Sequence, residues 1–462
     1  MIALLGSGRI GTAKYFVDQW GANPSTVNFG QALVSHLAPD GWWQYAAWYA
    51  PNNALTLARR HVDEDVWESI TLPFGLEHND SHNSINLGIS ASDGRLHIAA
   101  GQHGEPVQYT RSYAGLLDDG FDAQWDPASF EPPTGTLGGT AVGGLTYPTF
   151  TAKPGGGLLF WYRNGLSTNG RMRLAEYEAD VWTVLSDVTS STGSWIAPNN
   201  GAVSTTRNFY WAHPMYGPAG VLHLAGTWSE GNHAVLQVPT APVPYHHMVY
   251  VTSPDHGRTW YTSTGEHVAT TGSNPIGVGD PGIHIPASTY DTRYALLVPD
   301  LTLGPDGLVA VLADYVSPDL LTNNPKHVVD MDHRVQYAGN HPRWRDAAGT
   351  WLAQSVKVGS QFIFNRYPVG RLAATRGKVA FGPDGAMHVI HSGVRICSAT
   401  AASGYTDWQV TFRGDRYLFG FGEMGGIDRS RPDRVSVLYI EQGDTAGATS
   451  SAVCVRDFAL GV

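Results

Sequence analysis

The chain reads as all-β, a closed seven-bladed β-propeller forming a single domain over residues 1–462. Two periodic observations predict it, and composition agrees. A tight-turn signal followed by a short apolar run returns seven times, and a tryptophan closes the later part of six of those units. The sequence holds 54 Gly and 28 Pro for turns, with 15 Trp, 21 Tyr and 15 Phe as flat bulk between sheets.

The units follow in order. Asp40-Gly41 precedes WWQYAAWYA, Asp93-Gly94 precedes RLHIAAG, Gly155-Gly156 precedes GLLFWYRNG, and Ala219-Gly220 precedes VLHLAG. Asp306-Gly307 then precedes LVAVLADY, Asp384-Gly385 precedes AMHVIHSG, and Pro432-Asp433 precedes RVSVLYIEQ. Each pairs an Asp-Gly or Gly-X type of turn with a run of β-branched and aromatic residues, the signature of a hairpin. The trailing tryptophans are Trp67, Trp125, Trp182, Trp260, Trp351 and Trp408. The seventh unit has none, and from Asp433 onward it has room for about two strands of ordinary length. A strand from before the first turn is therefore expected to complete it. Closing the ring leaves each sheet only short, protected edges. At about 66 residues per unit the blades exceed the ~40 to 50 of common propeller repeats, so long connecting loops are expected.

Ser253-Pro-Asp-His-Gly-Arg-Thr-Trp260 reads S-x-D-x-G-x-T-W, the Asp-box hairpin found in sialidases and other carbohydrate-active propellers. Its Ser and Asp side chains can hold turn backbone, Gly257 permits a positive φ, and Trp260 packs between sheets. The motif speaks for fold and hardly at all for function.

The formal net charge of -11 argues against a general nucleic-acid binder or a basic membrane-surface protein. A few converging Arg and His residues can still make a local site for an anionic sugar. Cys397 and Cys454 are the only cysteines. Two buried thiols are expected rather than a bridge, because a chain of this size needs no disulfide framework, and the pair lacks the close spacing of a structural zinc site. No apolar run approaches the ~18 residues of a membrane span. The segment MIALLGSGRIGTAKYF makes a poor signal peptide, its apolar stretch being short and no basic region preceding it. Either the protein stays inside, or this sequence is not the secreted precursor; an extracellular or periplasmic substrate is expected.

Chemistry-bearing residues cluster in the second and third units. His82 and His103 flank the turn at Gly94, and Tyr147 and Arg163 flank the turn at Gly156. In an antiparallel hairpin the start of the incoming strand and the end of the outgoing strand lie at one end. Four side chains from neighbouring blades would then line one pocket. Each also has a plainer reading: a hydrogen-bonded histidine, a core tyrosine, a solvated strand-end arginine, with Asp80, Asn79 and Asn83 satisfying a turn. His97 alternates with apolar neighbours and is expected to be packed.

The segments HNDSHNSINLGISASDGRLHIAAGQHG (78–104), TYPTFTAKPGGGLLFWYRNG (146–165) and HHMVYVTSPDHGRTW (246–260) resemble the BNR-repeat polysaccharide lyases. That group includes ulvan lyases and lyases of L-rhamnosyl-α-1,4-D-glucuronate linkages, seven-bladed propellers all. Spacings of 21 from His82 to His103, 65 from His82 to Tyr147 and 16 from Tyr147 to Arg163 match the family's pattern. The resemblance implies β-elimination from a uronate, with Arg163 gripping the carboxylate at two points and His103 assisting. For glucuronate, whose C5 proton and O4 share a face, Tyr147 can move both protons. For iduronate, His82 would be base and Tyr147 acid.

Asn83, Trp211, His213, Arg293 and Arg366 are further candidates for sugar binding, each with a structural role as the simpler reading. His246 and His247 are metal-ligand types, but neighbouring strand residues point to opposite faces, which argues against a shared site. The chemistry requires no cofactor; the resemblance allows a structural calcium or zinc with no ligands fixed. The expected partner is an anionic polysaccharide or oligosaccharide, the expected state a monomer, and neither nucleic acid nor membrane is expected. Few charged residues, 15% of the chain, and no evident Lys/Arg cluster for sulfate favour an unsulfated gum-type chain over ulvan. The competing functions are a rhamnosidase-type hydrolase acting from the opposite rim, for which Tyr147 and Arg163 are superfluous, and a non-catalytic carbohydrate-binding propeller. A sialidase is disfavoured by a single clear Asp box and no recognisable arginine triad.

Overall fold

The structure is a computed structural model that describes residues 2–14, 16–18, 21–23, 30–78, 80, 82–101, 103–198, 200–235, 245–285, 295–316, 338–346, 348–354, 356–358, 361–362, 377–391, 395–414, 426–441 and 450–461. Regular structure among them is β-strand, with a few 3-10 turns. No helix among the described residues is long and apolar enough to cross a membrane. Two compact units emerge, one of Ile2–Asn164, Leu174–Leu185 and Gly414–Val462, the other of Gly165–Arg173 and Ser186–Arg413.

All seven predicted turns precede strands: Gly41–Tyr49, Arg95–Ala100, Leu158–Leu166, Leu222–Glu230, Val309–Val316, Met387–His391 and Arg434–Glu441. Asp-Gly works here because the second position takes a positive φ that costs glycine little. Gly94 sits at φ 60, Gly307 at 76 and Gly385 at 74. The tryptophans pack as expected at several places, with Trp182 6%, Trp260 0% and Trp408 1% exposed.

In the first unit, Leu33–Ala38, Gly41–Tyr49, Ala54–His61 and Glu68–Gly75 form one antiparallel sheet in chain order. Ile85–Ser90, Arg95–Ala100 and Tyr109–Arg111 form the next, and Leu145–Ala152 pairs with both His103–Glu105 and Leu158–Leu166. A further sheet joins the two ends of the chain. Ile2–Lys14 pairs with Ser450–Leu460, from Ile2 opposite Leu460 to Lys14 opposite Ser450, and Arg434–Glu441 and Gly426–Asp428 follow. The short last unit is thus completed from the N-terminal segment. Trp48 fixes that strand: its indole donates to the Thr12 carbonyl at 3.1 Å. A Cβ on Gly11 would meet the same ring at 2.2 Å, so only glycine fits there.

In the second unit, Val203–Trp211, Leu222–Glu230 and Tyr245–Ser253 run in order, followed by Thr259–Tyr261 and His267–Thr270. The Asp box closes as its residues predict. Ser253 Oγ accepts from the Gly257 amide at 2.8 Å, Asp255 accepts from the Thr259 amide at 2.8 Å, and Gly257 sits at φ 85. The sheets Ala295–Leu303 to Trp351–Ala353 and Lys378–Phe381 to Gln409–Phe412 complete the unit.

Cys397 and Cys454 are both buried free thiols, as expected. His97 is fully buried, its Nδ1 2.7 Å from the Tyr109 hydroxyl. The reading of His246 and His247 on opposite faces is corrected. The register shifts between Thr227 and Trp228, leaving His247 as the extra residue at φ 50. That bulge overrides the two-residue alternation, and the two Nδ1 atoms meet at 2.6 Å.

Candidate active site

The register of two hairpins brings the predicted residues together within the first unit. Ile85 pairs with Ala100, so the chain entering at His82 and the chain leaving toward His103 share the end opposite the Gly94 turn. His103 then becomes an edge residue of the next sheet, where it pairs with Thr146, and Thr146 pairs in turn with Arg163. One rung, His103 to Thr146 to Arg163, therefore crosses three neighbouring segments.

Tyr147 departs from that ladder. The register shifts between Thr146 and Thr149, and Tyr147 sits at φ 55. Pro148 follows and offers no N–H to the ladder. A left-handed φ at a bulky residue costs on the order of 1–3 kcal/mol, and such outliers gather at functional sites. The bulge turns the phenol toward the histidines, with ring centroids of His82 and Tyr147 6.4 Å apart. The Arg163 guanidinium carbon lies 4.9 Å from the Tyr147 ring centroid. Both residues are buried, at 7% and 2% exposure.

Asp80 is the residue the sequence reading left as a turn satisfier. It does cap the turn, accepting from the His82 amide at 2.9 Å. Its two oxygens also bind both imidazoles, with His82 Nδ1 2.5 Å from Oδ1 and His103 Nδ1 2.6 Å from Oδ2. Burial pushes this carboxyl up, but the hydrogen bonds from His103 and His82 outweigh it and hold Asp80 well below the usual carboxylate range. An ionised carboxylate only accepts, so both Nδ1 atoms donate and both Nε2 atoms keep a lone pair when the rings are neutral. The local signal was Asp two residues before His; its reach to His103 is a tertiary contact.

Asn83 is 3% exposed and donates to the His78 carbonyl at 3.3 Å, tying down the same loop. Trp211, 7% exposed, and the half-buried His213 belong to the second unit. Arg293 and Arg366 lie outside the described residues.

Asp80, His82 and His103 are also the one group of metal-ligand types that converges among the described residues. Their contacting atoms are 2.5 and 2.6 Å apart. Ligands of a tetrahedral zinc, at bonds of about 2.0 Å, stand roughly 3.3 Å from one another. The trio as arranged fits hydrogen bonding and not an ion between those atoms.

Sheets of this order define an all-β propeller protein, with polar residues gathered at hairpin ends in the first unit, and solved structures agree. Polysaccharide lyase Uly1 superposes with a TM-score of 0.67 at 14% identity, over 99% of each chain. An ulvan lyase of family PL25, bound to -[GlcA(1-4)Rha3S]-, gives 0.60 at 10% identity, over 96% of this chain and 95% of that one. A second structure of a PL25 ulvan lyase gives 0.58 at 10% identity, over 96% of this chain and 95% of that one. These likenesses establish the propeller class and leave the number of blades open. No curated protein matches in sequence. The sequence profile of the BNR repeat-containing family matches residues 43–338, and the chain belongs to that family.

Proposed function

We propose that this protein is a polysaccharide lyase that cleaves L-rhamnosyl-α-1,4-D-glucuronate or iduronate linkages by β-elimination. It would act as a monomer built as one seven-bladed ring, on an anionic polysaccharide of the ulvan or gum type. The observation that carries the reading is the convergence of His82, His103, Tyr147 and Arg163, in the spacing the lyases show, on one end of two adjacent hairpins. The fold neighbours named as polysaccharide lyases support it.

In this reading Arg163, with help from His103, binds the uronate carboxylate and stabilises the charge that develops as the C5 proton leaves. Tyr147 or His82 takes that proton. The C5–H electron pair forms the C4–C5 double bond, the C4–O4 bond breaks, and O4 departs with a proton from Tyr147. For glucuronate one tyrosine serves both transfers; for iduronate His82 Nε2, left basic by Asp80, is on hand as the base. The strained φ of Tyr147 is consistent with a side chain held in place for chemistry.

None of these steps calls on a metal. Digestion of ulvan and of gum arabic, followed by ultraviolet absorbance, tests the reading. Elimination creates a conjugated double bond and hydrolysis does not, so new reducing ends without absorbance would overturn the lyase in favour of a hydrolase.

A further inference from the structure

We infer that Asp80 is a positioning residue: its carboxylate fixes His82 and His103 as a stacked pair in one tautomer, each ring giving its Nδ1–H to Asp80 and keeping Nε2 for substrate. The division of labour between the rings rests on the elimination reading above; the pairing itself does not.

The argument is geometric. The two rings stack with centroids 4.3 Å apart and planes at 17°. Each gives its Nδ1 proton to a different oxygen of one carboxylate. Because an ionised carboxylate only accepts, the two contacts fix which nitrogen of each ring carries the hydrogen.

Among the described residues, other charged and titratable groups stand nearby. Arg163 and Tyr147 lie on the neighbouring hairpin, and Glu105 accepts the His103 amide at 2.5 Å. A neutral ring held this way has its Nε2 lone pair available to accept the C5 proton, and a ring that gains a proton donates from Nε2 to a uronate carboxylate. A neutral His103 could not donate from Nε2 while its Nδ1 proton points at Asp80, so the assisting role assigned to it requires this extra proton.

Asp80→Asn separates positioning from packing because it is nearly isosteric. An amide has one oxygen and one NH2 group, so only one ring can keep its Nδ1–H bond and the other must switch tautomer. The decisive experiment is nitrogen-15 NMR of the ring nitrogens in the substrate-free protein, wild type and Asp80→Asn, across pH, beside kcat and KM profiles on the polymer.

Wild type should show both rings with Nδ1–H. Asp80→Asn should show one ring switched to Nε2–H. Its kcat should fall by about 10²–10⁴-fold, with KM changed only a few-fold. The same pair of tautomers in both proteins, or Nε2–H tautomers in wild type, would overturn the inference. The spectra require no substrate. A wild-type protein that eliminates no uronate polymer would sink the functional reading and leave the Asp80 result standing on its own.

Discussion

His82 and His103, 21 positions apart in the chain, stack at 4.3 Å because one carboxylate, Asp80, binds both. A loop residue, a sheet-edge residue and a turn cap thereby become one unit. Around it stand a bulged tyrosine and a buried arginine from the next hairpin.

Arg163→Lys should reduce kcat/KM by about 10²–10³-fold while melting within a few degrees of wild type. The charge survives, but the planar fork that grips a carboxylate at two points does not. Guanidinium packing on the Tyr147 ring is lost as well. Steady-state kinetics on the polymer checks this, and unchanged kcat/KM would remove Arg163 from the site.

Stability should fall as pH drops from about 7 toward 5. Burial holds His97 and His247 well below the usual imidazole range, with the His246 and His284 charges adding to the effect at His247, and lowers His223, His284 and His388 to about 4. A histidine depressed in the folded state binds fewer protons than in the unfolded chain. Its contribution is therefore fully present above the unfolded value of about 6.5 and is lost on the way down. Each such group adds a slope of up to about 1.4 kcal/mol per pH unit. Asp80 acts lower on the scale: depressed when folded, its contribution holds above about 3.9 and fades below that. Urea midpoints across pH measure the trend, and a flat profile between 7 and 5 would contradict it.

Gly11→Val should destabilise the protein by about 1–3 kcal/mol through the strand that joins the two chain ends. The added carbon would fall 2.2 Å from the Trp48 ring, inside a sheet that runs from Ile2 to Leu460. Thermal melting is the measurement, and an unchanged midpoint would mean that the N-terminal strand does not pack against Trp48.

Much of this was legible in the sequence, for reasons that differ by residue. Asp93-Gly94 and Asp306-Gly307 announced hairpins because tight turns demand a positive φ that glycine supplies cheaply, and both glycines adopt it. The ends of the hairpins that turn at Gly94 and Gly156 followed in the same way, which is why His82, His103, Tyr147 and Arg163 could be grouped. Asp80 was undervalued because its role depends on His103, brought near by strand pairing that no local pattern encodes. The bulges at Tyr147 and His247 were invisible for a related reason. A two-residue alternation predicts faces only while the register holds, and in both places it shifts.

The most direct test of elimination at this site is ultraviolet absorbance during digestion of a rhamnose- and uronate-containing polymer by wild type and by Tyr147→Phe. Phe keeps the ring beneath Arg163 and removes only the hydroxyl. Wild type should generate absorbing unsaturated ends, and the variant, equally stable, should be slower by about 10²–10⁴-fold. Equal rates in the two proteins would contradict the account.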